Sequence, residues 1–400
     1  MIAMLTTSSC KRAASAGFVA SALIACGRPA APLNRKDGVS EAAEFSHAEL
    51  HPHRVAGRVV FEDTLLSRPL RVSLLNDSTA LVIDDVAPYF HLFDRRTGHT
   101  LATLGRRGEG PGEFLDVQGV VAIEGGRPRF WAYEVTRNLL TLVDPSHPAA
   151  SGDSMISLGR VGTFVLLQAT DSIVVVMAET DSSALQLFDL KVSTRAQAGT
   201  KPRSAWNRPV RSVGTPMRFV PPETDSTVPL PRQTRRVVAA DTRMCYEATV
   251  KKYVRINRAA GRVEYLDTLG SLVTSAQVPF LFDPHFSPDP LGTVSLEPAN
   301  ERQRTGYLDC TTTPDLVLAL YSGRLRSAVP REQRSELFQS RFVHVFDWEG
   351  RLTGVLELDA HVRSMTFDRA SGLIYAIAFD PEPSVMVFDV RTILGGLQRR

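Results

Sequence analysis

The stretch Gly105-Arg106-Arg107-Gly108-Glu109-Gly110-Pro111-Gly112-Glu113-Phe114 is the most distinctive set of chemically capable residues in this 400-residue chain. Two guanidinium groups and two carboxylates, Arg106, Arg107, Glu109 and Glu113, are interspersed with glycines. Consecutive glycines leave backbone N–H groups free to face an anion. Read as a ligand loop, the four charged side chains line a channel mouth. No Gly-Lys-Ser/Thr follows and no helix begins there, so this is not a nucleotide phosphate loop. Read as architecture, the glycines supply positive φ where the chain crosses between strands, and Phe114 plugs a core.

Elsewhere the chemistry is sparse. His47, His51 and His53 share one short polar stretch, which holds a metal only if the backbone fixes it. His91 and His344 each stand three residues before an Asp at equivalent points of a repeat, which reads as packing. His285 and His361 are isolated, and no His-Glu-x-x-His, Gly-x-Ser-x-Gly or Cys-x-x-Cys occurs. No catalytic residue, metal site or cofactor is therefore assigned. Cys245 and Cys310 either form a disulfide or lie buried separately. The disulfide would close a loop of about 65 residues, worth roughly 3–4 kcal/mol.

These residues must be positioned by strands. No segment sustains a 3.6-residue apolar period; short runs of Val, Ile, Leu, Phe and Tyr alternate with Asp, Gly, Ser, Pro and Asn. An apolar pair followed by Asp or Asn recurs at Leu92-Phe93-Asp94, Leu142-Val143-Asp144, Leu187-Phe188-Asp189, Val345-Phe346-Asp347 and Val387-Phe388-Asp389, and Arg255-Ile256-Asn257 is a sixth, weaker occurrence. Each follows a strand-like run that opens on Asp or Gly. In five units, 16–18 residues separate the opening residue from the closing one. The fifth unit is longer, with a charged segment from 324 to 340 between its two strands.

Constant hairpins with variable connections predict an all-β, six-bladed β-propeller over 57–400, each blade a four-stranded antiparallel sheet. The last unit lacks a fourth strand, and Arg58-Val59-Val60-Phe61 is expected to supply it and close the ring. The insertions 196–235 and 271–304 are expected to be ordered loops, the second with room for a seventh blade. The six Asp/Asn residues sit too far apart to share a calcium ion and read as turn formers. Trp131, Tyr133, Tyr321 and Trp348 read as core between sheets rather than a binding face.

The N-terminal part reads as an address. Lys11 and Arg12 precede an uncharged run, residues 13–25, that is too short to span a bilayer and suits a signal peptide. Its end, Leu23-Ile24-Ala25-Cys26-Gly27, resembles the lipobox of bacterial lipoproteins. The resemblance implies a signal peptide over 1–25, a lipid on Cys26, a membrane partner through that lipid, and a tether over 26–56. Gly27 and Arg28 follow Cys26 without an Asp, which implies the outer membrane, facing periplasm or exterior.

A second resemblance covers most of residues 57–392. The Gly105–Phe114 stretch is similar to the inter-blade signature of NHL-like propellers. With Leu318-Ala319-Leu320-Tyr321-Ser322-Gly323, Val343-His344-Val345-Phe346-Asp347-Trp348-Glu349-Gly350 and Ile374-Tyr375-Ala376-Ile377, it resembles the TolB-like six-bladed propeller lipoproteins. That family implies a fold without an established reaction. The composition, 43% hydrophobic and 22% charged with net charge +3, excludes a disordered chain and a nucleic-acid partner. The expected function is a monomeric envelope module that binds a protein, peptide or glycan. The alternative is a lactonase-like hydrolase or lyase with a divalent metal in the channel.

Overall fold

The protein is described by a computed structural model over residues 47–110, 112–123, 126–147, 155–158, 165–169, 173–177, 185–189, 211–213, 242–276, 278, 282, 286–288, 294–296 and 303–398. Cys26, most of the insertion 196–235, and His285 lie outside these residues. The chain from Phe45 to Arg400 forms one compact unit.

Alternating apolar runs and Asx turns produce consecutive antiparallel meanders. Sheet I comprises Pro69–Leu74, Thr79–Asp84, Phe90–Asp94 and Thr100–Leu104. Sheet II comprises Gly119–Ala122, Phe130–Glu134, Leu139–Val143 and Met155–Ser157. Sheet III comprises Val165–Ala169, Ile173–Met177, Leu185–Asp189 and Arg211–Val213. Sheet IV comprises Thr242–Glu247, Lys252–Asn257, Val263–Leu266 and Leu272–Ser275.

The next two meanders share one long strand, Leu352–Asp368. Its first half pairs with Ser340–Asp347 and completes sheet V, which starts with Tyr307–Thr312 and Leu316–Tyr321. Its second half pairs with Leu373–Ala378 and opens sheet VI. Sheet VI continues through Ser384–Asp389 and is completed by Gly57–Glu62, which pairs antiparallel with Ser384–Asp389. A short helix, α1 (Arg391–Leu397), buries Leu394 and Leu397 against the core.

The first strands of successive sheets lie side by side from I to VI, and the first strand of VI lies beside that of I. Polar groups reinforce this inner layer. One Asp309 oxygen of sheet V accepts from the Ser364 hydroxyl (2.8 Å) and the Met365 N–H (3.0 Å) of sheet VI. Arg71 of sheet I stands 3.8 Å from the other oxygen of Asp309. Cys245 of sheet IV and Cys310 of sheet V are joined by a disulfide, with Cα atoms 6.1 Å apart.

The Asx turns have a direct cause. Asp94 accepts from the N–H groups of Arg96 (3.0 Å) and Thr97 (2.7 Å), and Asp347 from those of Glu349 (3.0 Å) and Arg351 (2.8 Å). Tyr321 and Trp348 are buried in a cluster between sheets IV and V, and Trp131 and Tyr133 are buried in a cluster of sheet II residues.

Three expectations are corrected. In the fourth unit, the run before Arg255-Ile256-Asn257 is the first strand of its sheet and that triplet ends the second, whereas Leu92-Phe93-Asp94 ends the third strand of sheet I. The true equivalent of Asp94 is Asp267, after the third strand, where it accepts from Leu269 and Ser271 N–H groups at 2.8 Å each. Arg255 obscured the pattern because a charged residue occupies a core position. Second, the described part of 271–304 holds the last strand of sheet IV and a two-stranded ribbon, Phe286–Pro288 with Val294–Leu296, not a further four-stranded blade.

Third, residues 47–55 are not a tether. His53–Val55 pairs in parallel with Leu356–Leu358, Val55 is buried, and Leu50 packs into the cluster between sheets IV and V. His47, in a short 3₁₀ turn (His47–Leu50), stacks flat on Phe342 with ring centroids 3.8 Å apart. Its Nε2 lies 3.2 Å from Nε2 of His344, whose Nδ1 lies 3.1 Å from the Tyr307 hydroxyl.

Burial lowers the His47 pKa to about 4, with Glu357 opposing the shift and Arg341 adding to it. Burial, then His47, holds His344 well below the ordinary histidine value. Both rings are thus neutral when folded but protonate when unfolded, so the unfolded chain binds more protons below the ordinary pKa. Stability is full above about pH 6.5 and falls as pH drops from there toward 4. His47→Phe keeps the stack and removes one proton site. Its urea midpoint is expected to fall less than that of the wild type between pH 7.5 and 5.0; equal falls would remove His47 from the account.

Candidate functional site

Antiparallel meanders send their connections out at two ends. First-to-second and third-to-fourth turns leave at one end, here the turn end. Second-to-third and fourth-to-first connections leave at the other, the loop end. The connections 105–118, 258–262 and 322–339 all lie at the loop end.

The glycine stretch between sheets I and II folds onto itself. Arg106–Arg107 pairs in parallel with Glu113–Phe114. The Glu113 carboxylate accepts from the Gly110 N–H at 3.0 Å and faces Arg106 at 3.5 Å. Gly105 has φ of 82°, and a Cβ there would meet the Phe90 ring at 2.8 Å. Phe114 is buried edge-on to Phe90, with centroids 5.1 Å apart. Glu113 is therefore engaged in closing the loop, while Arg106, Arg107 and Glu109 remain exposed. Burial raises the Tyr89 pKa, with Arg107 opposing the rise and Asp116, Asp85 and Glu134 adding to it.

Two buried carboxylates at the loop end act on backbone. Asp84 ends the second strand of sheet I and accepts from the N–H groups of Ser67 (2.8 Å), Arg68 (3.1 Å) and Val86 (2.9 Å). Glu134 ends the second strand of sheet II and accepts from the Leu115 N–H at 2.8 Å and from Arg137 at 3.3 Å. Burial raises the Glu134 pKa, against the opposing pull of Leu115 and Arg137. In both sheets a carboxylate pins the entry to the first strand. His91 is buried, with its Nε2 2.9 Å from the Pro88 carbonyl. Among the described residues no group of three His, Cys, Asp or Glu side chains is arranged to hold a metal ion.

Sequence reading passed over three arginines at the loop end. Arg363 begins the first strand of sheet VI, Arg258 follows the second strand of sheet IV, and Arg68 precedes the first strand of sheet I. Burial lowers the Arg363 pKa; Arg258 and Arg68 lower it further, and Asp85 offsets them in part. Arg258 is held over the Phe338 ring at 5.3 Å, and Arg68 pairs with Asp85 at 3.1 Å. Farther out, Arg324 donates to His361 Nε2 at 2.9 Å. No motif marks these residues, because they come from unrelated points of three repeats.

No family model matches the chain, and no curated protein matches it. Among solved structures, it is similar to an exported-protein candidate of Bacteroides fragilis, at 11% identity and a TM-score of 0.47, over 84% of this chain and 94% of that one. It is also similar to the β-propeller domain of Cps50 (Swd1) from Myceliophthora thermophila, at 12% identity and 0.43, over 83% and 100%. Raptor of Chaetomium thermophilum aligns at 11% identity and 0.43, over 86% of this chain; the chain spans only 30% of Raptor's length.

Proposed function

We propose that the chain is a six-bladed β-propeller closed by residues 57–62, anchored through lipid on Cys26 to the bacterial outer membrane, and that it acts as a monomeric binding module. Its partner is a protein, peptide or glycan of the envelope. The observation that carries this reading is the order of the inner strands. Each first strand neighbours the next, and the sixth returns to the first, beside the pairing of Gly57–Glu62 with Ser384–Asp389. Such a ring holds loops from separate sheets in fixed relation, which limits the entropy lost on binding. The envelope address rests on the lipobox and on Cys245–Cys310, since a disulfide suits an oxidising compartment.

A metal-dependent hydrolase or lyase is the second reading. The loop end carries the exposed Arg106 and Arg107 and the half-buried Arg363, and guanidinium groups favour anion binding over the holding of a cation.

Cross-linking and affinity capture in native envelopes test the proposal. Replacing the loop-end residues Arg106, Arg107 and Glu109 together is expected to lose a partner that the wild type recovers. Replacing Arg96 and Arg351 at the turn end should retain it. Cys26→Ala should move the protein from the detergent phase to the aqueous phase. Equal recovery by all variants, or a Cys26→Ala protein still in detergent, would overturn the corresponding part.

A further inference from the structure

Residues 47–55 meet sheet V at both of their ends. At one end, His53–Val55 pairs with Leu356–Leu358, and just beyond it the Gly57 N–H donates to both oxygens of Asp359, at 3.0 and 3.1 Å. At the other end, His47 lies flat on Phe342 and meets His344 nitrogen to nitrogen at 3.2 Å. His344 is fully buried, with the Tyr307 hydroxyl at its Nδ1 and the Tyr321 ring stacked on it at 4.6 Å. Arg341 lies over Phe342 at 5.4 Å and pairs with Glu357 at 3.0 Å. Glu357 also faces Arg54 of the segment at 3.4 Å. These are the charged and titratable groups that the four strands of sheet V turn toward the histidine pair and the segment.

Two Nε2 atoms at this distance share one proton, which one ring donates and the other accepts on its lone pair. One added proton leaves that bond in place. A second removes the lone pair and sets two imidazolium N–H groups face to face, out of water. Only departure of His47 relieves that. The contact ties the segment to a single sheet, whereas the sheets are tied to one another by the disulfide, by Asp309 and by the strand that V and VI share. We propose that the His47–His344 contact is an acid-released latch, which frees residues 47–55 from sheet V while the sheets stay folded, and so uncovers Phe342 and the edge Leu356–Leu358. Burial holds both docked histidines below their ordinary value, and release ends that burial for His47, so release takes up protons. Docking is therefore full above about pH 6.5 and weakens by up to about tenfold per unit below it, for each histidine. Resting on the reading of Cys26 as the lipid anchor, release adds residues 47–55, up to about 30 Å of extended chain, to the span between membrane and sheets.

Hydrogen exchange of the detergent-solubilised full chain, read by mass spectrometry and corrected for intrinsic rates, tests the latch. Amides of residues 51–57 should lose protection about thirtyfold between pH 7.5 and 5.0, as a docked value near 4 against a released value near 6.5 requires. Low urea should not speed their exchange, because the opening exposes little surface. Amides of residues 316–321 should be better protected at both pH values and should exchange through an opening that urea promotes. His47→Phe keeps the stack and should reduce the pH response to about threefold. His344→Gln, which removes the partner instead, should flatten it likewise. Asp359→Asn removes the carboxylate at the other end and should keep the full response. A segment with unchanged protection, or one that exchanges together with 316–321 and with the same urea dependence, would overturn the latch. So would a full response in both histidine variants, or its loss in Asp359→Asn alone. None of these readings needs the lipid. A Cys26→Ala protein still in detergent sinks the anchor and the added span, whereas a flat response in a lipidated chain sinks the latch alone.

Discussion

Glu264→Leu is expected to lower the unfolding free energy by about 3–5 kcal/mol, read as a shift of the urea midpoint at constant slope. Glu264 faces Arg255 directly across two strands of sheet IV, and the side chains are only 6% and 1% exposed. One Glu264 oxygen accepts from Arg255 Nε at 2.8 Å and also from Nη2. Removing the carboxylate leaves a guanidinium in the core without the charge that faces it. The cost comes from taking the facing carboxylate away from a buried guanidinium more than from any net gain of the pair, since two buried ions also forfeit their hydration. Replacing both, Arg255→Leu with Glu264→Leu, should therefore recover most of the loss. A single variant within about 1 kcal/mol of wild type would mean that water reaches the guanidinium.

The second large effect belongs to the disulfide. Cys245→Ala with Cys310→Ala should cost roughly 3–4 kcal/mol, the entropy of a 65-residue separation set free in the unfolded chain. The bridge ties the first strand of sheet IV to that of sheet V, so it also holds two inner strands together in the folded state. Wild type treated with reductant should melt with the double variant, and both below the oxidised protein. Coincident melting of all three would show that the bridge adds nothing to stability.

Together these tests separate two kinds of cohesion. The covalent tie acts mainly by restricting the unfolded ensemble, whereas the ion pair acts on the folded core. The two strands that carry them are adjacent in sheet IV, with Cys245 opposite Val254 and Met244 opposite Arg255. Their effects are therefore expected to couple rather than add. The His47–His344–Tyr307 contact works at a third place, where it fixes the N-terminal segment against sheet V.

What the sequence determined by itself is local. Alternating apolar residues specify strands, and an Asp at a strand end gathers the next N–H groups into a turn, as at Asp94, Asp347 and Asp389. Such bonds span two to four residues, so their pattern is written in the chain. The pairing of Gly57–Glu62 with Ser384–Asp389 was also legible, because a last meander one strand short leaves an edge to fill.

The tertiary structure alone decided the rest. His47 meets His344 across 297 positions. Arg255 breaks the repeat in sequence because its carboxylate lies on the next strand, where position rather than motif supplies it. The chain between 358 and 362 continues one strand from sheet V into sheet VI. Arg68, Arg258 and Arg363 share an end of the inner layer only because three sheets start or turn there. Hydrogen-bonding patterns of neighbouring residues carry no record of such meetings. They arise when separate apolar faces pack, and packing chooses partners by shape and burial, not by distance along the chain.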